Sequence, residues 1–349
     1  MLWFENGQSQ KIMYTQRDHQ SLRTRNSFGI EVSARHYVEF ESAEDLRAFF
    51  ADRPDTDEPY YILSGGNNVL FTEDYPGTIL HSVSRGITLL ERTADRVVVR
   101  VAGGEEWDDF VGWAVSHGYG GVENLSLIPG YVGAAPVQNI GAYGAEAAQT
   151  IREVEVYLPK QDEVKRLDRQ ACRFAYRDSL FKRELKGQAI ILSVTFELSL
   201  HPTFNLGYGD LKARVEAFGE VTLSRVREAV MAIRREKLPD PAILGNAGSF
   251  FKNPVVPVSV AETLRQTYPD MPVYGVDETR VKLAAGWLID RCGWKGRRMG
   301  PVGVHDRQAL VLVNHGGATG RQVMELARTI QQDVRQRFGV EIETEVNVL

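Results

Sequence analysis

Two cysteines in 349 residues, Cys172 and Cys292, stand 120 positions apart and form no CxxC pair. That scarcity excludes a disulfide framework and a thiolate metal centre, and it points to reduced thiols in a cytoplasmic protein. Seven histidines form no HxxxH or HExxH spacing, so a zinc hydrolase is excluded and no metal is expected. No apolar run approaches the roughly 18 residues of a membrane span. The opening MLWFENGQSQ lacks the basic and apolar regions of a signal peptide. The net charge of −5 leaves no broad basic field for nucleic acid or an anionic membrane. An anionic ligand must therefore be held by local groups. GxGxxG and GxxxxGK are both absent, which disfavours a standard dinucleotide fold and a P-loop.

Glycine, by contrast, is plentiful: 32 residues, concentrated in a few places. Length predicts about two domains. Residues 1–20 are polar and without pattern, and read as a frayed lead-in. From Asn26 short strands alternate with helices. Ser42 caps a helix carrying Ala43, Leu46, Phe49 and Phe50. A second helix over 106–121 carries Phe110, Trp113 and Ala114 and stops at Gly118. AIILSVTFELSL (189–200) reads as a buried strand, and turn-rich PTFNLGYGDL (202–211) marks a boundary. Beyond it lie helices over 223–237 and 322–338, the latter with Val323, Leu326, Ile330, Val334 and Phe338 at helical spacing before Gly339. The final ten residues alternate as a strand, with Val340, Ile342, Val346 and Val348 on one face. The fold class is α+β, with a domain over 21–214 and another over 215–349.

Two glycine-rich segments invite a phosphate. SGGNN (64–68) follows a strand, and consecutive glycines let backbone N–H groups converge on phosphate oxygens. ENLSLIPGYVGAAPVQNIGAYGAE (123–146) is too broken for regular structure and too apolar for a linker; loops of this length inside a domain are usually functional. Together they could clamp an extended dinucleotide, with Leu125, Ile128, Val132 and Val137 against a flat ring. GNAGSFFKNP (245–254) surrounds Ser249 with small residues, which fits either a tight turn or a reacting hydroxyl. A serine hydrolase is disfavoured, because Phe251 stands where G-x-S-x-G needs its second glycine. Taken singly, Arg177 in FAYRDSLFK and Glu345 in ETEVNVL read as solvated charges.

In combination, SGGNNVL, SLIPGYVGAAPVQNIGAYG, FAYRDS, GNAGSFFKNP and ETEV resemble the UDP-N-acetylenolpyruvoylglucosamine reductase family from about Asn26 to Leu349. NLGYGDL around Tyr208 resembles its type I subgroup. The resemblance implies a vanillyl-alcohol oxidase/p-cresol methylhydroxylase-type FAD-binding domain of two α/β subdomains, followed by a separate α+β substrate-binding domain. It implies non-covalent FAD, with NADPH as co-substrate. The reaction it implies is reduction of UDP-N-acetylglucosamine enolpyruvate to UDP-N-acetylmuramate for peptidoglycan, by a cytoplasmic monomer.

Site roles follow from the same resemblance. Hydride passes from flavin N5 to the vinyl C3, and Ser249 delivers a proton to C2. Arg177 matches the arginine at the substrate carboxylate, where a guanidinium fork suits the geometry. Glu345 matches a glutamate that stabilises the enediolate-like intermediate as a neutral acid, which requires a desolvated strand end. Tyr176, Tyr208, Lys237, Asn253 and Gln308 match substrate-binding positions. Ser64, Gly65, Gly66, Asn67, Asn68, Pro129, Gly130, Gly133, Gln138, Asn139 and Gly141 match cofactor contacts. The rival readings are an alcohol or aldonolactone oxidase of the same flavoprotein fold and a non-catalytic nucleotide-sugar binding protein. Neither glycine-rich segment contains the His or Cys of a covalent flavin link.

Overall fold

The computed structural model describes residues 14–53 and 57–349. β1 (Thr15–Ser21) pairs antiparallel with β2 (Ser33–Phe40). Residues 15–20 are thus part of a sheet rather than a frayed lead-in, while 1–13 lie outside the described residues. Nearly every β1 residue is exposed at the sheet edge, so no apolar alternation marks it in sequence. α1 (Ala43–Asp52) starts at the expected cap. Ser42 Oγ accepts from Asp45 N, and the Asp45 carboxylate accepts from Ser42 N in return. After β3 (Tyr60–Ile62) and β4 (Val69–Leu70), β5 (Tyr75–Ser82) completes a sheet ordered β1-β2-β5-β3; β4 stands outside it.

β6 (Ile87–Arg92), β7 (Arg96–Ala102) and α2 (Trp107–Ser116) open the next unit. The segment 123–146 contains short 3-10 turns and the small hairpin of β8 (Gly141–Ala142) and β9 (Ala145–Glu146). β10 (Ile151–Leu158), β11 (Glu163–Asp168) and β12 (Ile190–Ser199) then form an antiparallel sheet in the order β11-β10-β12-β7-β6. Its core joins Trp107, Phe110 and Phe196, the last two with ring centroids 4.6 Å apart. Leu125 and Val132 are wholly buried in this core, so they support the loop instead of meeting a ring. Ile128 and Val137 are half-buried beside it.

α3 (Leu211–Ala217) and α4 (Leu223–Lys237) share a small core with Tyr143, Phe204 and Leu206. Arg227 on α4 grips Asp108 on α2 through two bonds of 2.6 and 3.0 Å. The boundary expected at 214/215 therefore falls inside α3, and α4 packs on the first unit. The turn-rich 202–211 carries the chain back onto the body it left.

The rest builds on β13 (Gly245–Ser249), β14 (Val255–Pro257), α5 (Val258–Thr267), β15 (Val273–Gly275), β16 (Arg280–Leu283), α6 (Ala285–Arg291), β17 (Arg298–Met299), β18 (Val302–Val304) and β19 (Val311–Asn314). Two sheets result, ordered β13-β19-β18-β17 and β14-β16-β15. α7 (Gly320–Phe338) buries all five apolar residues that the spacing predicts and ends at left-handed Gly339. The last ten residues do not form one strand. Only β20 (Asn347–Val348) is ladder-paired, in parallel to β4. The tail changes partners along its length. Lys252 N donates to Glu343 O and Glu345 N to Phe250 O; Asn347 N and Leu349 N then donate to Asn68 O and Leu70 O. Val340, Ile342 and Val346 are buried as the alternation requires, whereas Val348 is 40% exposed.

One apolar core spans both ends of the chain. Leu22, Phe28, Ile30, Leu70 and Phe71 pack with Phe250, Phe251, Leu288, Leu326, Ile330 and Val346. Buried Asn26 holds its N-terminal part: Nδ2 donates to Leu22 O and Ile30 O, and Oδ1 accepts from Ile30 N. Asn26→Ala strands these buried groups and is expected to cost about 2–4 kcal/mol. A thermal melt should fall by roughly 5–10 °C; an unchanged melt contradicts this role.

Candidate active site

Ala175 and Asp178 close a four-residue turn through reciprocal backbone bonds of 3.0 and 3.1 Å. Arg177 occupies its second central position at φ 53°, where glycine or asparagine is usual. Such a backbone persists only when its surroundings hold it. Lys182 Nζ donates to Arg177 O at 3.3 Å, and Arg177 Nη2 donates to Gly141 O at 2.6 Å. A Cβ on Gly141 would lie 2.8 Å from Arg177 Nη1, so glycine is needed for that approach. Arg177 Nε meets Glu345 Oε1 at 3.0 Å, and the two side chains are only 19% and 13% exposed.

Glu345 reaches this point by its backbone, through Phe250 O at 2.8 Å and Asn68 Nδ2 at 3.3 Å to its own carbonyl. Ser249 precedes Phe250 on β13, opposite Val311. Among the described residues its hydroxyl has no hydrogen-bond partner, and the residue is half-buried. Arg177 and Glu345 are thus in direct contact, and Ser249 adjoins the peptide that positions Glu345.

Tyr176 lies between two cations: the Arg177 guanidinium at 5.4 Å from its ring centroid and Lys282 Nζ at 4.2 Å. Burial raises its hydroxyl above the ordinary tyrosine range, and Asn253 hydrogen-bonds to it. Asn253 Oδ1 also accepts from Ala285 N at the start of α6. Tyr208 is exposed and meets Tyr143 edge-on at 5.7 Å. Lys237 ends α4, 52% exposed and 3.7 Å from Asp210. Gln308 stands near the start of α6, with Oε1 3.2 Å from where a Cβ on Gly286 would lie. Its Oε1 accepts from Leu310 N, and Leu310 O in turn accepts from Phe250 N.

The two glycine-rich segments lie side by side. A Cβ on Gly65 would stand 3.1 Å from Gly130 Cα, and Tyr131 N donates to Ser64 Oγ at 3.2 Å. The Asn67 side chain reaches the same gap, and Asn68 Nδ2 donates to Gln138 Oε1 at 2.7 Å. Pro129 lies between Leu127 and Gly130 in this stretch, and Gly130 O accepts from Trp107 N. Gly133 N donates to Gly103 O, and Gly66 O accepts from Ser27 N. Asn139 differs. Its side chain is turned to Glu146, Ala175 O and Ala148 N, so it braces the arginine turn.

Sequence reasoning missed several neighbours. Lys182 closes the FAYRDSLFK motif; burial, then the charge of Lys252, lowers its ammonium pKa. Beside the paired loops, His81 packs 5.7 Å from Tyr37 and 5.6 Å from Tyr131, with Arg25 over Tyr37 and Arg85 over Tyr131. Among the described residues the buried Tyr37 hydroxyl has no hydrogen-bond partner. These residues come from separate strands and loops, and no local motif links them.

The FAD binding domain family model matches residues 34–168, and that of the UDP-N-acetylenolpyruvoylglucosamine reductase C-terminal domain matches 240–349. A UDP-N-acetylenolpyruvoylglucosamine reductase of Chromobacterium violaceum is 50% identical over 331 residues, covering 94% of this chain and 97% of the relative. One from Pseudomonas aeruginosa is 50% identical over 333 residues, covering 95% and 98%. The chain belongs to the UDP-N-acetylenolpyruvoylglucosamine reductase family. The reductase structure from Thermus caldophilus shares the fold at TM-score 0.66 and 22% identity, covering 96% of this chain and 98% of that one. A solvent-stable cholesterol oxidase shares it more loosely, at TM-score 0.53 and 10% identity over 95% and 87%. The family resemblance and the fold class expected from sequence are therefore borne out. Within the family frame, the paired glycine loops fall in the first matched region, and Ser249, Asn253, Gln308 and Glu345 fall in the second. Arg177, Tyr208 and Lys237 lie between the two.

His81 provides a pH test. Its Nδ1 donates to Leu63 O at 2.9 Å, and burial lowers its pKa. The folded state then resists protonation more than the unfolded chain, whose histidine titrates near ~6.5. Stability is full above that pH and should decline as pH falls through the lowered folded value. Melts between pH 7.5 and 5 should show a decline that His81→Gln reduces; an identical decline in the variant would discount the histidine.

Proposed function

We propose that this chain is the FAD-mediated, NADPH-dependent reductase that converts UDP-N-acetylglucosamine enolpyruvate to UDP-N-acetylmuramate in peptidoglycan synthesis. The observation that carries the reading is the sheltered Arg177–Glu345 pair beside the Ser249 hydroxyl, which has no hydrogen-bond partner among the described residues. No helix among the described residues is long and apolar enough to cross a membrane. NADPH and nucleotide sugars are cytoplasmic metabolites, so the reading places the reaction in the cytoplasm, and a monomer is expected.

The cradle suits FAD. Gly65 and Gly130 bring two backbones as close as glycine permits, and such a cleft lets N–H groups surround a pyrophosphate. Ser64 to Asn68, Pro129, Gly130, Gly133 and Gln138 would hold the cofactor, whereas Gly141 and Asn139 brace the Arg177 turn beside it. When bound, FAD supplies the hydride that the vinyl carbon C3 needs, regenerated from NADPH.

The chain's own residues do the rest. Tyr176, Asn253, Tyr208, Lys237 and Gln308 bind the substrate, with Lys237 and the hydroxyls taking its diphosphate. Arg177 turns its free N–H groups to the enolpyruvyl carboxylate and stabilises the negative charge that grows there. Glu345 starts as the partner of Arg177. Once the substrate carboxylate joins the same guanidinium, two carboxylates crowd one cation, which favours a proton on one of them. A protonated Glu345 then donates a hydrogen bond to the enediolate. Ser249 gives its proton to C2. A serine hydroxyl is a weak acid, so this step depends on close placement against a strongly basic carbon.

The reading predicts a yellow protein that NADPH bleaches and UDP-N-acetylglucosamine enolpyruvate recolours. A bound flavin left oxidised by NADPH contradicts it. In stopped-flow, Ser249→Ala should keep the NADPH half-reaction and slow the substrate half-reaction by about 10²–10⁴-fold. Equal losses in both halves argue against a proton donor. Glu345→Gln should lower kcat with a modest change in KM, and an unchanged kcat removes Glu345 from the chemistry.

A further inference from the structure

Leu127 has a left-handed backbone, at φ 58°, just before Pro129 and Gly130. Glycine or asparagine is usual in that region, and leucine persists there only when its neighbours hold it. Both polar backbone atoms of Leu127 are held by charged side chains. Its N–H donates to Asp108 Oδ1 at 2.5 Å, and its carbonyl accepts from Arg234 Nε at 3.1 Å. The two holders stand on different helices, α2 and α4. Arg227 of α4 ties them together, donating twice to the Asp108 carboxylate at 2.6 and 3.0 Å. This ion pair is sheltered, with side chains 18% and 26% exposed. Arg227 and Arg234 stand two turns apart on α4 and so share one face.

The chain that leaves Leu127 is one wall of the glycine cradle. Gly130 O accepts from Trp107 N at 2.9 Å, and Tyr131 N donates to Ser64 Oγ at 3.2 Å. A Cβ on Gly65 would come within 3.1 Å of Gly130 Cα. The first turn of α2 therefore grips this wall at three points: Trp107 Nε1 on Leu125 O, Asp108 on Leu127 N and Trp107 N on Gly130 O. Arg234 supplies a fourth, from α4. A change of φ at Leu127 turns everything that follows it, so a relaxed Leu127 would swing Pro129 and Gly130 away from Gly65. The bonds to its N–H and carbonyl oppose that change, and bonds from ionised groups are the strong ones.

Resting on the reading of the glycine cradle as the FAD site, we propose that Asp108, Arg227 and Arg234 form a clamp that positions the cofactor loop. By holding Leu127 left-handed, they keep Pro129 and Gly130 against Gly65 and so retain FAD. They act through the loop, as positioning residues, and have no part in the hydride or proton steps.

The FAD-loaded enzyme of Arg234→Met tests this, with released FAD collected by ultrafiltration after dilution. Losing a bond from a charged donor to Leu127 O should speed FAD release about 10- to 100-fold. Leu127→Gly provides the comparison, because glycine takes φ 58° without steric strain. In that background Arg234→Met should change FAD release by less than about 3-fold. Release at the wild-type rate in Arg234→Met overturns the proposal, and so does an equal acceleration in both backgrounds. A lower melting temperature with unchanged FAD release has the same meaning, since it leaves Arg234 with a structural part only. Should Arg234→Met fail to fold, Asp108→Asn keeps the side-chain shape while weakening the Arg227 pair, and carries the same expectation. Gly65→Ala separates the clamp from the cradle. If Gly65→Ala loses FAD while Arg234→Met keeps it, the cradle stands and the clamp fails. If both keep FAD, the cradle reading fails and the clamp with it.

Discussion

The seam made by the final residues holds the site in being. Glu343 and Glu345 exchange backbone bonds with Lys252 and Phe250, and Asn347 and Leu349 then do the same with Asn68 and Leu70. Backbone bonds fix register, so each side chain along the tail has one place to go. Val346 goes into the shared core, and Glu345 goes to Arg177. One short stretch thereby ties the SGGNN loop, the serine-bearing strand and the arginine turn together. A tail with a single partner strand could not have touched all three.

The arginine turn adds a second constraint. Arg177 is held in a left-handed backbone by its own carbonyl, its guanidinium and the bare Gly141 peptide together. Such local strain is tolerated where several contacts converge, and here they aim a guanidinium at the sheltered Glu345 carboxylate. Lys182 takes part without touching the guanidinium, which makes it a positioning residue. Asn139 serves the same turn from the other side. Its side chain is spent on Ala175 and Glu146, although its motif suggests a cofactor contact.

The two units are joined more deeply than a two-domain reading of the chain suggests. Leu22, Phe28, Ile30 and the β4 segment share one core with the C-terminal helices, while α4 packs on α2 through Arg227 and Asp108. The cofactor cradle and the candidate acid–base residues therefore rest on common packing. A substitution such as Asn26→Ala acts on that packing, at a distance from the reacting groups.

Much was legible in the residues alone. The 3.6-residue spacing of Val323 to Phe338, the Ser42 cap and the glycine pair after a strand are local signals whose physics needs no partner. The five ordered motifs carried the family. What stayed hidden depended on distant segments. β1 has no apolar face because one side of an edge strand meets water, and the alternation of 340–349 could not tell that its backbone partners change halfway. The closeness of Arg177 to Glu345, 168 positions apart, and the placing of Lys282 over the ring of Tyr176 are tertiary facts. Sequence determined which elements form and which chemistry they carry, because propensity, capping and periodicity act over a few residues. Only the folded chain decided which charges are paired and which remain free, because pairing depends on distances that no local pattern encodes.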